Sequence, residues 1–264
     1  MRAINTKDTI EQLTRFIKTT AATAGFQKVI VAVSGGVDSA TSVSLAVRAV
    51  GAENVYGLLL PFKDTQVEAV VDARLVLSQL SVSEVNIVEV NIGSVVDVLQ
   101  QQLLLDRVSD QVRLGNVMAR ARMIVLYDHA KKLNATVVGT ENKSEHLLGY
   151  YTRFGDEASD VEPLRTLYKT EVYKIAKALH VPEPILIKAP TAGLWKGQTD
   201  EGQFGFTYQQ ADEILWLLHD KKFSPKEVMQ QGLDQQLVDR VVQWVKQNDF
   251  KHIVPHIAPE PVLQ

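Results

Sequence analysis

No cysteine occurs among the 264 residues. That excludes disulfides, thiolate metal sites and thiol nucleophiles together, and it is compatible with a reducing compartment. There is no excess of positive charge: 28 Lys and Arg stand against 31 Asp and Glu, for a formal net charge of −3. Domains that bind nucleic acid are usually clearly basic, so no nucleic-acid partner is expected, although a local basic pocket for one nucleotide fits this balance. No run approaches the roughly 18 apolar residues of a membrane span. The first eight residues lack the continuous apolar stretch of a secretory signal. A soluble cytoplasmic protein is the expectation. Internal repeats and low-complexity segments are also missing. Hydrophobic residues make up 45% of the chain, ample material for a buried core.

What is present is an alternation. Short apolar runs at 29–33, 55–60, 85–90 and 135–139 read as strands, and Ile185-Leu186-Ile187 reads as a fifth after a Pro-rich joint. Helical periodicity covers roughly 39–50, 65–80, 94–105, 115–134 and 169–179. A first helix places Ile10, Leu13, Phe16 and Ile17 on one face. This order predicts a doubly wound parallel α/β sheet with helices on both faces, which binds ligands beyond the carboxyl ends of its strands. From residue 207 the pattern turns helical, with Ser224 as N-cap before Pro225 and an amphipathic helix at 234–247. The tail, with Pro255, Pro259 and Pro261, reads as extended. Residues 1–264 are expected to form a single domain, with 207–264 a helical segment and tail within it.

Ser34-Gly35-Gly36-Val37-Asp38-Ser39 directly follows the first strand and opens a helix. Two glycines permit a sharp turn and close approach to a ligand, and the free N–H groups at the helix start face an anion. Ser34 and Ser39 add hydroxyls. A carboxylate does not favour bare phosphate, so Asp38 is expected to meet one through Mg²⁺. The pattern is neither G-x-G-x-x-G nor G-x-x-x-x-G-K-[ST], and it lacks the lysine that would serve a γ-phosphate. It resembles the S-G-G-x-D-S loop of the N-type ATP pyrophosphatases, which cleave ATP between the α and β phosphates. The bland reading is a plain strand–helix turn.

Three further segments resemble ammonia-dependent NAD synthetases: residues 115–123 (GNVMARARM), Gly139-Thr140-Glu141-Asn142-Lys143-Ser144-Glu145 on to Arg153-Phe154-Gly155-Asp156, and 189–201 (APTAGLWKGQTDE). The likeness runs from about residue 5 to 255 in preserved order. It implies an adenine-nucleotide alpha-hydrolase-like fold and ATP contacts from Ser34, Gly35, Gly36, Val37, Asp38, Ser39, Thr140, Lys169 and Thr191. It implies Mg²⁺ on Asp38 and Glu145, and deamido-NAD contacts from Arg120, Arg153, Asp160, Phe250 and Lys251. The implied reaction adenylates the nicotinate carboxylate of deamido-NAD, releases pyrophosphate, and lets ammonia displace AMP. Lys169, Ser34 and Ser39 would stabilise charge, with no side-chain nucleophile. A homodimer is also implied. Glutamine-using relatives carry an amidase domain with a catalytic cysteine, and this chain has neither the length for one nor a cysteine.

The chain departs from the pattern where many relatives carry Lys, here Arg153; at G-D-G-G-x-D, here Gly155-Asp156-Glu157-Ala158-Ser159-Asp160; and at H-K-R, here Phe250-Lys251-His252. All three fall on the deamido-NAD side. Bland readings stand beside the functional ones. Arg120, Arg122, Glu145 and Lys169 have a second reading as solvated charges, and Asp160 as a capping acid. His252 and His256 have helical metal-ligand spacing, but Pro255 lies between them. Trp195, Trp216 and Trp244 read as packing residues, with Trp195 placed in a Gly-rich segment that could cover a ligand. The alternatives in function are another ligase sharing the loop (GMP-forming or tRNA-modifying) and an ATP-binding module without turnover.

Overall fold

A computed structural model describes residues 2–63, 67–195 and 197–258. Four parallel strands, β1 (Lys28–Ala32), β2 (Val55–Leu59), β3 (Ile87–Glu89) and β4 (Ala135–Val137), lie in the order β3-β2-β1-β4. Val29 pairs with Val55 on one side and with Thr136 on the other, so β1 is central. The chain winds outward from β1 through β2 to β3, then returns to place β4 on the opposite side. The crevice beyond the carboxyl ends of β1 and β4 is therefore the switch point where such sheets bind ligands.

Both faces of the sheet are covered, as a parallel sheet requires. Val29, Val31 and Val33 face α1 (Thr6–Thr23), α2 (Val37–Val50), α3 (Val67–Gln79) and α7 (Lys169–Ala178). Ile30, Leu58 and Val137 face α4 (Gly93–Gln102) and α5 (Gln111–Leu133). A third apolar cluster joins Leu148 of α6 (Lys143–Leu148) to α10 (Tyr208–Leu215), α11 (Pro225–Gln230) and α12 (Gln235–Asn248). Trp244 closes it, edge-on to Phe204 and donating to the Leu148 carbonyl. Ser224 caps α11 ahead of Pro225, as expected.

Three expectations need correction. The run at 185–187 is not a strand. Residues Glu183–Leu186 form one helical turn, α8, started by Pro182 and Pro184. Beside β4 the chain instead bridges Val138 to Val161. Val85 is 85% exposed on a 3-10 turn, so the third strand is shorter than its apolar run. Phe16 is 41% exposed, on the rim of the face that buries Ile10, Leu13 and Ile17. The tail beyond residue 258 and the start of the helix expected from 65 lie outside the described residues.

Candidate functional site

The loop after β1 turns as its glycines require. Gly35 has φ +79°, and an added Cβ would stand 2.5 Å from the Ala69 carbonyl oxygen. Ser39 Oγ donates to the Gly36 carbonyl and accepts from the Ser34 N–H, while Ser34 Oγ lies 3.1 Å from Ser39 Oγ. The two hydroxyls thus fix the turn. Gly36 is the N-cap of α2 and offers no side chain, so the first N–H groups of that helix stay available to an anion.

Three charged groups meet beside this loop. The Lys169 ammonium donates to Asp38 at 2.5 Å and to Glu145 at 3.1 Å. Its side chain is 3% exposed, against 17% for each carboxylate. They come from three elements: Asp38 from the first turn of α2, Glu145 from α6 and Lys169 from the first residue of α7. Asn142 and Glu145 form a reciprocal capping box on α6, and Asn142 also donates to Asp38 at 2.9 Å. Burial pushes the Glu145 carboxyl up, against the pull of Lys169. Burial also opposes the Lys169 charge, but Asp38, Glu145 and Asp200 outweigh it and hold the lysine well above its ordinary pKa. An anion-binding loop, a buried ammonium and two convergent carboxylates can together hold a polyphosphate with a cation.

Residues 197–205 approach this cluster through Asp200, whose charge acts on Lys169. Leu194 packs over Gly115 in the second turn of α5, where an added Cβ would lie 2.8 Å from Leu194 Cδ1. Asp200, in the short helix α9 (Asp200–Phe204), is buried and accepts from Tyr150 Oη, Tyr208 Oη and the Ala192 N–H, each at 3.1 Å. The Tyr208 ring lies 5.0 Å from the Lys169 ammonium. Thr191 is exposed, and its hydroxyl donates to the Gln198 carbonyl. Thr140 is half-buried just beyond β4.

The residues expected on the deamido-NAD side divide into two groups. Arg120 Nε donates to the Arg153 carbonyl, and the Arg153 guanidinium lies 5.0 Å from the Phe250 ring centre. Lys251 joins them but spends its ammonium on the carbonyls of Gly149 and Tyr151. Asp160 lies apart, at the edge of β4, accepting from the Val137 N–H at 2.8 Å and from Thr136 Oγ1. Arg122 is not simply solvated, since its Nε donates to the Leu60 carbonyl beyond β2. His252 Nε2 donates to the His146 carbonyl, which is no metal-ligand role.

Several residues in this region escaped the sequence reading. Asn142 carried a readable signal, because N-x-x-E is a capping-box pattern. Asp200 lay in the family-like segment 189–201 without being singled out, and Tyr208 carried no such signal. Glu141, Arg165 and His146 form a linked cluster behind α6, where burial pushes Glu141 up to about 8 and His146 down to about 4.

The family model for NAD synthase matches residues 9–255. The NH3-dependent NAD(+) synthetase of Thermococcus kodakarensis is 44% identical across 98% of this chain and 100% of its own. The solved NMN synthetase from Francisella tularensis is similar with a TM-score of 0.84 at 31% identity, covering 99% of this chain and 100% of that one. The NH3-dependent NAD synthetase from Campylobacter jejuni gives a TM-score of 0.80 at 31% identity, covering 97% and 100%.

Proposed function

The chain belongs to the NAD synthase family, and from that premise we propose that it converts deamido-NAD, ATP and ammonia into NAD, AMP and pyrophosphate. It is a ligase forming a carbon–nitrogen bond. The observation that carries the reading is the meeting of Asp38, Glu145 and Lys169 beside the Ser34–Ser39 loop. The nicotinate carboxylate attacks the α-phosphorus, and the bond to the bridging oxygen of pyrophosphate breaks. Lys169 and the loop N–H groups hold the charge gathering on that leaving group. Ammonia then attacks the acyl carbon, AMP departs, and a proton is lost from nitrogen.

Asp38 and Glu145, each 17% exposed, would hold a divalent cation beside the Lys169 ammonium. Two carboxylates completed by substrate phosphates and water suit Mg²⁺. Such a cation would offset charge on the pyrophosphate oxygens. Thr140 and Thr191 flank the proposed ATP position, one beyond β4 and one in the segment that leads to Asp200. Arg120, Arg153, Phe250 and Lys251 form the proposed deamido-NAD side, and Asp160, apart from them at the edge of β4, is proposed as a further contact. The whole chain is taken as one domain, its helical part from 207 supplying the wall behind α6 and α7. A homodimer is supported by exposed apolar side chains on and around α4 and α5, among them Val95, Val98, Leu104, Val108 and Val112. No helix among the described residues is long and apolar enough to cross a membrane, and a cytoplasmic location is proposed.

The test mixes protein, MgATP, ammonium and deamido-NAD, with nicotinate mononucleotide offered in parallel. AMP and pyrophosphate should form in step with NAD, and ADP with phosphate would contradict the reading. Glutamine should not replace ammonium, since no cysteine is present to extract its nitrogen. Only unprotonated ammonia has the lone pair needed for attack, so the KM for total ammonium should fall as pH rises. A KM that stays flat would point away from free ammonia as nucleophile.

A second expectation concerns residues 193–206. Gly193, Gly197, Gly202 and Gly205 ease its movement, and Leu194 and half-buried Trp195 give it apolar surface to bury. Its amide exchange should slow when MgATP and deamido-NAD bind. Identical exchange with and without them would show that it is not a lid.

A further inference from the structure

Asp212 lies on α10, outside every segment assigned above to ATP or deamido-NAD, and its exposure is 0%. A carboxylate in such a place is costly unless its oxygens are satisfied. One oxygen accepts from the Thr170 N–H at 2.9 Å and from the Thr170 hydroxyl at 2.8 Å. The other accepts from the Ser144 hydroxyl. Ser144 Oγ in turn accepts from the Lys169 N–H at 2.8 Å. Lys169 and Thr170 are the first two residues of α7, and Ser144 and Glu145 lie in the first turn of α6. One negative charge therefore sits at the amino end of α7, where orphan N–H groups and the helix dipole favour it, and it ties that end to α6.

We propose that Asp212 is a positioning residue of the adenylation site: by capping α7 and orienting the Ser144 hydroxyl, it fixes the backbone from which Lys169 and Glu145 reach Asp38. This rests on the proposed function, which puts Lys169 and Glu145 against the departing pyrophosphate. Asp212 touches no substrate. A lysine has a long flexible stem, so its ammonium is held in place only if its root is fixed. Tyr168, the N-cap of α7, makes no side-chain cap bond. The cap comes instead from α10, which packs against both α6 and α7. One carboxylate thus ties the helical part of the chain to the roots of Lys169 and Glu145.

The test is a double-mutant cycle of Asp212→Asn with Lys169→Met in the full chain. It reads single-turnover AMP formation, urea unfolding, and amide exchange at Lys169 and Thr170. Asp212→Asn should lower kcat about tenfold to a hundredfold, because small misplacements of charged groups are that costly. The KM for ATP should change little, and exchange at Thr170 should quicken. Added to Lys169→Met, the same change should cost several-fold less than it does alone, because the share that acts through the lysine is already lost. Ser144→Ala, which removes the acceptor of the Lys169 N–H, carries the cycle if Asp212→Asn does not fold. An unchanged kcat, or an equal loss in both backgrounds, overturns the proposal. If the wild-type chain makes no NAD, the functional reading fails instead, and unchanged exchange at Lys169 and Thr170 in Asp212→Asn would still overturn the positioning role.

Discussion

Lys169→Met should lower turnover by about 10²–10³-fold, the usual cost of removing one preorganised group that stabilises developing charge. The four-carbon stem is closely replaced, so packing is kept and the charge alone is lost. Two effects follow at once. The departing pyrophosphate loses a buried cation, and Asp38 and Glu145 face each other without the ammonium between them. Breaking a fully buried ion pair costs about 3–5 kcal/mol. Both carboxylates here keep 17% exposure, so water screens them and a loss of about 1–3 kcal/mol is expected at neutral pH. That loss should shrink as pH falls, because burial favours the protonated, neutral form of Glu145, which does not repel Asp38. Urea unfolding at pH 5 and pH 8, beside steady-state turnover, measures both effects. Turnover within about threefold of wild type would remove Lys169 from the transition state, since such a change is far below the effect of a lost charge stabiliser.

Glu145→Gln should be inactive yet no less stable at alkaline pH. Turnover should fall by about 10²–10³-fold, as should that of Asp38→Asn, because either change leaves pyrophosphate charge unbalanced. Stability should move the other way. Burial raises the Glu145 carboxyl above its ordinary value of 4.5. From that value upward the folded protein retains a proton that the unfolded chain has released, so this group's contribution to stability falls as pH rises through the window. Glutamine does not titrate, can still accept the Asn142 N–H bond, and leaves Lys169 paired with Asp38. The stability of Glu145→Gln relative to wild type should therefore increase from pH 5 to pH 8. A difference that moves in the opposite direction would show that Glu145 is stabilised, not strained, in its charged form. Near-normal turnover of either variant at saturating Mg²⁺ would take that carboxylate out of the site.

The sequence by itself determined whatever depends on neighbours along the chain. Ser34–Ser39 was legible because a strand, a positive-φ glycine and a helix start occupy six consecutive residues, and their backbone geometry is local. The two-sided burial of the sheet was legible because β1 and β2 are apolar at successive positions. Asn142–Glu145 was legible in principle as a capping box. The fifth strand failed because three apolar residues fit a helical turn as well as a strand, and only the absence of a pairing neighbour decided between them. What the tertiary structure alone decided is which distant charges meet. Lys169 stands 131 residues from Asp38, and Asp212 stands 42 from Thr170. No periodicity encodes either pairing. They form because burying a charge is costly until an opposite charge or a donor satisfies it, and that requirement is met only once α2, α6, α7 and α10 have packed together.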